Sequence, residues 1–241
     1  FDSSRGQLFS EGISDELITL IPTKATTRKL LIMSEPTDQQ LFQVTEILKA
    51  SRDNQPPRFF EIYDNFDEPL RREPVIANRA VFMAYAVKDP DRFGRTLEIY
   101  AEVFADDTKR SLLVSNFYLM LEDVEKSYAA LRRFQQTFSA KDGALPAKLS
   151  AMALALAQPE DAEKFAVEAT TNEPTLELGW WSLLRARSSG ENYAGAVEVL
   201  AHLEDDFGYR LDEAKLKRDR YKSFGALAES EEFREWRSAR N

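Results

Sequence analysis

The chain has no cysteine in 241 residues. Disulfides, zinc–thiolate sites and cysteine nucleophiles are excluded, and the compartment is left unfixed. Histidine occurs once, at His202. One histidine is enough for a Ser-His-Asp arrangement, but no G-x-S-x-G elbow presents a serine to it. No H-E-x-x-H pattern offers it to zinc either. Glycine-rich phosphate loops of the G-x-G-x-x-G and G-x-x-x-x-G-K-S/T kinds are missing, so nucleotide binding has no support. Glycine is scarce, at nine residues, and proline stands at ten. A β-sandwich would need more glycine-rich turns and alternating strands. No apolar run reaches the roughly 18 residues that span a bilayer; the longest, Leu112–Leu121 and Leu149–Ala157, read as buried helix. An excess of basic residues is missing too. The net charge is −9, and no basic stripe offers itself to a phosphate backbone, so nucleic acid is not an expected partner.

What is present is a series of amphipathic helical runs. Pro57, Pro74, Pro90 and Pro159 stand at or near helix openings, where a fixed φ and a missing N–H cost nothing. Ser14 caps an expected short helix, Asp15 to Ile21, stopped by Pro22; Lys29 to Met33 is a short apolar run read as helix. Thr37 and Gln40 have capping-box spacing, and the helix behind them places Leu41, Val44, Ile47 and Leu48 on one face. Phe59, Phe60, Tyr63 and Phe66 form a core stripe at helical spacing, and Ala77, Ala80, Val81 and Ala84 a small-residue face. Four helix pairs follow: 75–88 with 91–105, 109–121 with 124–138, 144–157 with 160–172, and 176–188 with 192–206. Their short connections suit antiparallel hairpins.

A pattern recurs through these pairs. Ala162, Ala169 and Pro174 set it; Ala196 refills the first slot 34 residues later, Ser127 35 residues earlier, and Phe93 34 before that. The second helices carry Phe93/Leu97, Ser127/Leu131, Ala162/Ala166 and Ala196/Leu200, and Trp180-x2-Leu183 opens the last pair. In period and pattern the chain resembles the tetratricopeptide repeat family. Leu184 and Arg187 stand where that pattern has glycine and tyrosine, and only Pro174 fills the proline slot. The closing run Phe224, Leu227, Ser230, Phe233, Trp236 resembles the end of many bacterial members. The resemblance implies an all-α, right-handed superhelix. Residues 1–36 form a lead with short helices, 37–208 the hairpin repeats, and 209–241 capping helices. Phe224, Leu227, Phe233 and Trp236 would cover the open apolar end, with Arg234, Arg237 and Arg240 facing water and the last carbonyls.

The functional expectation is a non-catalytic scaffold that binds a protein or peptide, for instance in a bacterial envelope assembly. No cofactor or metal is expected, and self-association into a homo-oligomer is left open. By repeat position, partner-binding candidates are Asn78, Tyr85, Asn116, Trp181 and Arg185, polar or aromatic where packing does not demand it. Lys109 and Asn116 come nearest to a carboxylate-gripping lysine/asparagine clamp, but with the wrong spacing. Trp180 and Trp181 point about 100° apart on a helix, so Trp180 is assigned to the buried slot and Trp181 to the surface. The alternative is a helical enzyme acting on carbohydrate through carboxylates. Its raw material is Asp64/Asp67/Glu68, Asp106/Asp107 and Glu204/Asp205/Asp206, all near helix ends; Asp64 to Asp67 lacks the glycine of a calcium loop. A third reading is a module cut from a larger protein. A start at Phe1 leaves a removed signal peptide or lipid anchor open, so exported, periplasmic, anchored and cytoplasmic locations all stand.

Overall fold

In a computed structural model the structure describes residues 22–33, 35–137, 142–218 and 222–240. The expected short helix Asp15 to Ile21 lies outside them. Among the described residues the structure is all-helical, 77% helix, with no strand. No helix among them is long and apolar enough to cross a membrane. It divides into two compact units, one ending at Leu121 and the other beginning at Glu122. That boundary falls inside the 37–208 stretch read as one repeat array.

The first unit holds α1 (Lys24–Leu30), α2 (Asp38–Arg52), α3 (Pro56–Tyr63), α4 (Glu68–Arg71), α5 (Pro74–Val87), α6 (Pro90–Val103) and α7 (Arg110–Met120). Thr37 caps α2 as its spacing predicts, its hydroxyl accepting from Gln40 N while Gln40 reaches back to Thr37 N. Helix α1 differs from the expectation. It forms in the polar stretch before Leu31, because Thr23 and Thr26 make a capping box of two hydroxyls. The aromatic stripe is core: Phe59, Phe60, Tyr63 and Phe66 are all buried, with Phe59 stacked on Tyr63.

The second unit holds α8 (Val124–Thr137), α9 (Ala144–Ala155), α10 (Pro159–Asn172), α11 (Glu177–Ser189), α12 (Tyr193–Asp205), α13 (Glu213–Arg218), α14 (Lys222–Glu229) and α15 (Glu231–Ala239). Helix α10 packs against both α9 and α11, and α9 and α11 also touch. Close approach depends on small residues. A Cβ added at Gly143 would stand 2.8 Å from the Ala169 carbonyl oxygen, and one at Gly179 3.4 Å from Thr170 N. The closing helices pack α14 on α11 and α15 on α12, with Phe224, Leu227 and Phe233 buried and Trp236 half-buried. Arg237 is half-buried, not water-facing as expected, and its Nη2 donates to Glu204 Oε1 at 2.6 Å; Arg240 is exposed, its Nη2 donating to Asp205 Oδ2 at 2.7 Å. Arg234 does reach a carbonyl, that of Glu229.

The repeat is visible in the backbone itself. Among the described residues five non-glycines have positive φ: Asn54 (49°), Lys88 (57°), Glu122 (59°), Ala157 (56°) and Glu191 (58°). They are spaced 34, 34, 35 and 34 residues apart. Each follows a helix and stands two residues before the next, at Pro56, Pro90, Val124, Pro159 and Tyr193. At three of them the following amide reaches back five residues, Gln55 N to Ala50 O, Gln158 N to Ala153 O and Asn192 N to Arg187 O. This is the Schellman closure of a helix end.

Burial keeps the same register. Seven residues before each turn residue, Ile47, Val81, Ser115, Ser150 and Leu184 are fully buried. Five and nine residues after it, Phe59/Tyr63, Phe93/Leu97, Ser127/Leu131, Ala162/Ala166 and Ala196/Leu200 are all buried. Charges keep it too. Asp64 meets Arg92 at 2.9 Å, and Arg132 meets Asp161 at 3.9 Å, the same two slots with the signs exchanged.

Candidate functional site

Each hairpin buries one side of its first helix and leaves a stripe on the other. In the first unit the stripe of α5 holds Val75, Arg79, Phe82 and Tyr85, and that of α7 holds Leu112, Asn116, Leu119 and Met120. Tyr85 is 39% exposed and Met120 50%. The two helices meet through aromatic rings: Phe117 lies 5.8 Å from Phe82 and 6.0 Å from Tyr85, and Tyr85 also leans on Phe93 at 5.7 Å. In the second unit α9 leaves Leu145, Lys148, Ala151 and Leu154 partly exposed, and α11 leaves Leu178, Trp181 and Arg185.

The five partner-binding candidates separate by unit and by role. Asn78, Tyr85 and Asn116 belong to the first unit, Trp181 and Arg185 to the second. Asn78 is buried, and its Oδ1 accepts from Arg110 Nη1 at 3.0 Å. Tyr85 and Asn116 are exposed; Trp181 and Arg185 are half-buried. Trp181 stands edge-on to Tyr209 at 5.2 Å, whose hydroxyl donates to Glu177 Oε2 at 2.6 Å. That bond to a carboxylate raises the Tyr209 pKa.

Trp180 is half-buried, not fully enclosed as its slot predicts. Its Nε1 donates to Pro174 O at 2.8 Å, and its ring lies 3.7 Å from that of His202. A tryptophan in a core must still place its N–H, and the nearest acceptor here is a carbonyl at the surface. His202 donates through Nδ1 to Asp206 at 2.5 Å, while Nε2 is buried and meets no hydrogen-bond partner.

Most of the carboxylates named for the enzyme alternative have structural duties. Asp64 pairs with Arg92, Asp67 caps α4, and Glu68 pairs with Arg72. Asp107 pairs with Arg110, and Glu204 and Asp205 with Arg237 and Arg240. Among the described residues no group of three or more histidine or carboxylate side chains is arranged to hold a metal.

Two features escaped the sequence. Arg110 is a hub: it donates to Asn78, to Tyr100 Oη at 2.9 Å and to Asp107 Oδ2 at 3.0 Å, with its guanidinium 4.0 Å from the centre of the Phe104 ring. Its partners lie 3, 10 and 32 positions away, so only the fold assembles them. The second is a half-buried cation recurring at one slot. Arg79 and Lys148 each stand nine residues before their turn residue, and burial lowers the pKa of both. The 34-residue register, extended to polar positions, would have singled them out. No protein-family model and no curated protein matches the chain.

Proposed function

We propose that the protein is a non-catalytic scaffold whose hairpins stack as a tetratricopeptide-like right-handed superhelix and bind a protein or peptide segment along their first helices. The observation that carries this reading is the stripe of apolar and aromatic side chains repeated on α5, α7, α9 and α11. Packing within each unit leaves these side chains partly in water. An array of hairpins in a common register presents such stripes side by side, and extended partner segments lie across them. The turn residues spaced by 34 or 35 positions support the repeat on which the reading depends.

Panning a displayed library of random peptides on the full chain tests it. The reading expects reproducible enrichment of peptides that bind the wild type and lose affinity for the Trp181→Ala, Arg185→Ala variant. A lost tryptophan anchor is worth about 2 kcal/mol, or roughly thirtyfold. Circular dichroism checks that the variant keeps its melting temperature. A library that yields no binder removes the scaffold reading.

A further inference from the structure

The stripe of α11 is partly covered by a side chain from outside its own hairpin. Tyr209 stands in the connection after α12 and reaches back 32 positions to Glu177, in the first turn of α11. Its ring meets Trp181 edge-on, at an interplanar angle of 86°, and its hydroxyl donates to the exposed Glu177 carboxylate. The backbone beneath the ring is held without this contact. Gly208 N donates to Glu204 O at 3.2 Å and Tyr209 N to Leu203 O at 3.1 Å. Leu211 N donates to Glu204 Oε1 at 3.1 Å, and Arg237 reaches the Leu211 carbonyl. The turn residue Gly208 has φ of 74°, and a Cβ built on it would meet nothing within 4 Å, so the flank of the turn is open space.

The contact can therefore break by rotation of the Tyr209 side chain alone, with the bonds of its backbone left in place. What opposes that rotation is bonding of the hydroxyl at a water-exposed carboxylate and one edge-on ring pair, both modest terms at a surface. Resting on the scaffold reading, we infer that Tyr209 is an intramolecular competitor for the Trp181 surface, seated there when the stripe is empty and swung out when a partner's side chain takes its place. The chemistry of the contact supports this. A segment anchored on a tryptophan meets it with an apolar or aromatic side chain. Tyr209 offers Trp181 a ring and Glu177 a donor, and so occupies from within the groups a partner would meet on that turn of α11. A partner then binds only the fraction of molecules whose arm is out, and its apparent affinity falls by that fraction. Segments that make weak contacts elsewhere on the stripe are held off, while a well-matched one displaces the arm.

The variants Tyr209→Ala and Tyr209→Phe test this. The probes are the Trp181-dependent peptides panned on the wild type, labelled with fluorescein and followed by stopped-flow anisotropy on the full chain. Tyr209→Ala should bind them about fivefold more tightly, and Tyr209→Phe should fall between it and the wild type. The gain should lie in the association rate, with the dissociation rate unchanged, because an arm that is out has no part in the bound complex. A prop that merely stiffened α11 would do the reverse, since its loss weakens binding and quickens release. Circular dichroism checks the fold, and should Tyr209→Ala misfold, Tyr209→Phe decides alone. Equal or weaker binding by the folded variants overturns the inference, as does a gain confined to the dissociation rate; the panned peptides keep the scaffold reading standing in either case. Panning that yields no binder, or only binders indifferent to Trp181→Ala, Arg185→Ala, overturns both.

Discussion

Ala162 has no exposed surface and sits five residues past a turn residue, where neighbouring hairpins also bury their side chains. Leucine there must displace packed neighbours. The expected cost is about 1–3 kcal/mol, read from the urea midpoint, and an unchanged midpoint would show the register to be wrong. Gly143 is tighter still. An added methyl would meet the Ala169 carbonyl at 2.8 Å and Glu173 Cβ at 3.0 Å, and Gly143 is the N-cap of α9, where alanine is disfavoured, so Gly143→Ala should lower the melting temperature. Arg110→Ala should cost about 1–3 kcal/mol, because it leaves the buried Asn78 oxygen and the enclosed Tyr100 hydroxyl without their donor. Ala162 was readable because the repeat places small residues at fixed intervals; Gly143, outside those slots, was not. The Arg110 cluster was not, since its members share no spacing along the chain. Nor was the pairing of Arg237 with Glu204 legible, as that acid lies about a repeat upstream.

At the scale of the element, the hairpin turn is the unit that recurs, and it uses residues poorly suited to it. Non-glycine side chains at positive φ cost on the order of 1 kcal/mol or more. Ala157 has no side-chain hydrogen bond to offset this. Ala157→Gly should therefore raise stability by up to about 1 kcal/mol, partly offset by the greater freedom of glycine when unfolded. A fall in the denaturation midpoint would contradict the backbone geometry. Helix starts with a proline or a Thr–Gln box were legible in the sequence; α1 was not, because a Thr–Thr box leaves a weaker trace than Thr–Gln. The seam between α12 and α15 has its own pH dependence. Burial pushes the Glu204 carboxyl up, but bonds from Arg237 and the Leu211 amide outweigh it and hold it below its ordinary value. A carboxyl held low in the folded state stabilises above its unfolded value of 4.5 and loses that contribution as pH falls through the folded value. Acid should thus loosen the closing helix. The protection of α15 amides, exchange rates being normalised to the intrinsic rate at each pH, should fall below about pH 4.5 in the wild type, and Glu204→Gln should abolish most of that change.

For the whole molecule, the helical class was legible in the sequence, whereas the division at Leu121 was not. Neither glycine nor proline marks it, and the polar residues Glu122 and Asp123 there resemble those at the other hairpin turns. The C-terminal cap yields a prediction at this scale. A chain ending at Phe224 lacks Leu227, Phe233 and Trp236, two of which are fully enclosed against the last hairpin. It should self-associate or precipitate, because an uncovered apolar end seeks a partner. Sedimentation that finds a stable monomer would assign the closing helices some other role.

The hairpin turns have a consequence for how the chain comes into being. Each joins helices adjacent in sequence, and even the final seam links residues only 33 and 35 positions apart. Closing such short loops costs little entropy, so folding need not wait for distant segments to find one another. Within the second unit a nascent chain should therefore pack helix upon helix as it leaves the ribosome, with an apolar edge open until α14 and α15 emerge to cover it. Synthesis would then set the order of assembly there.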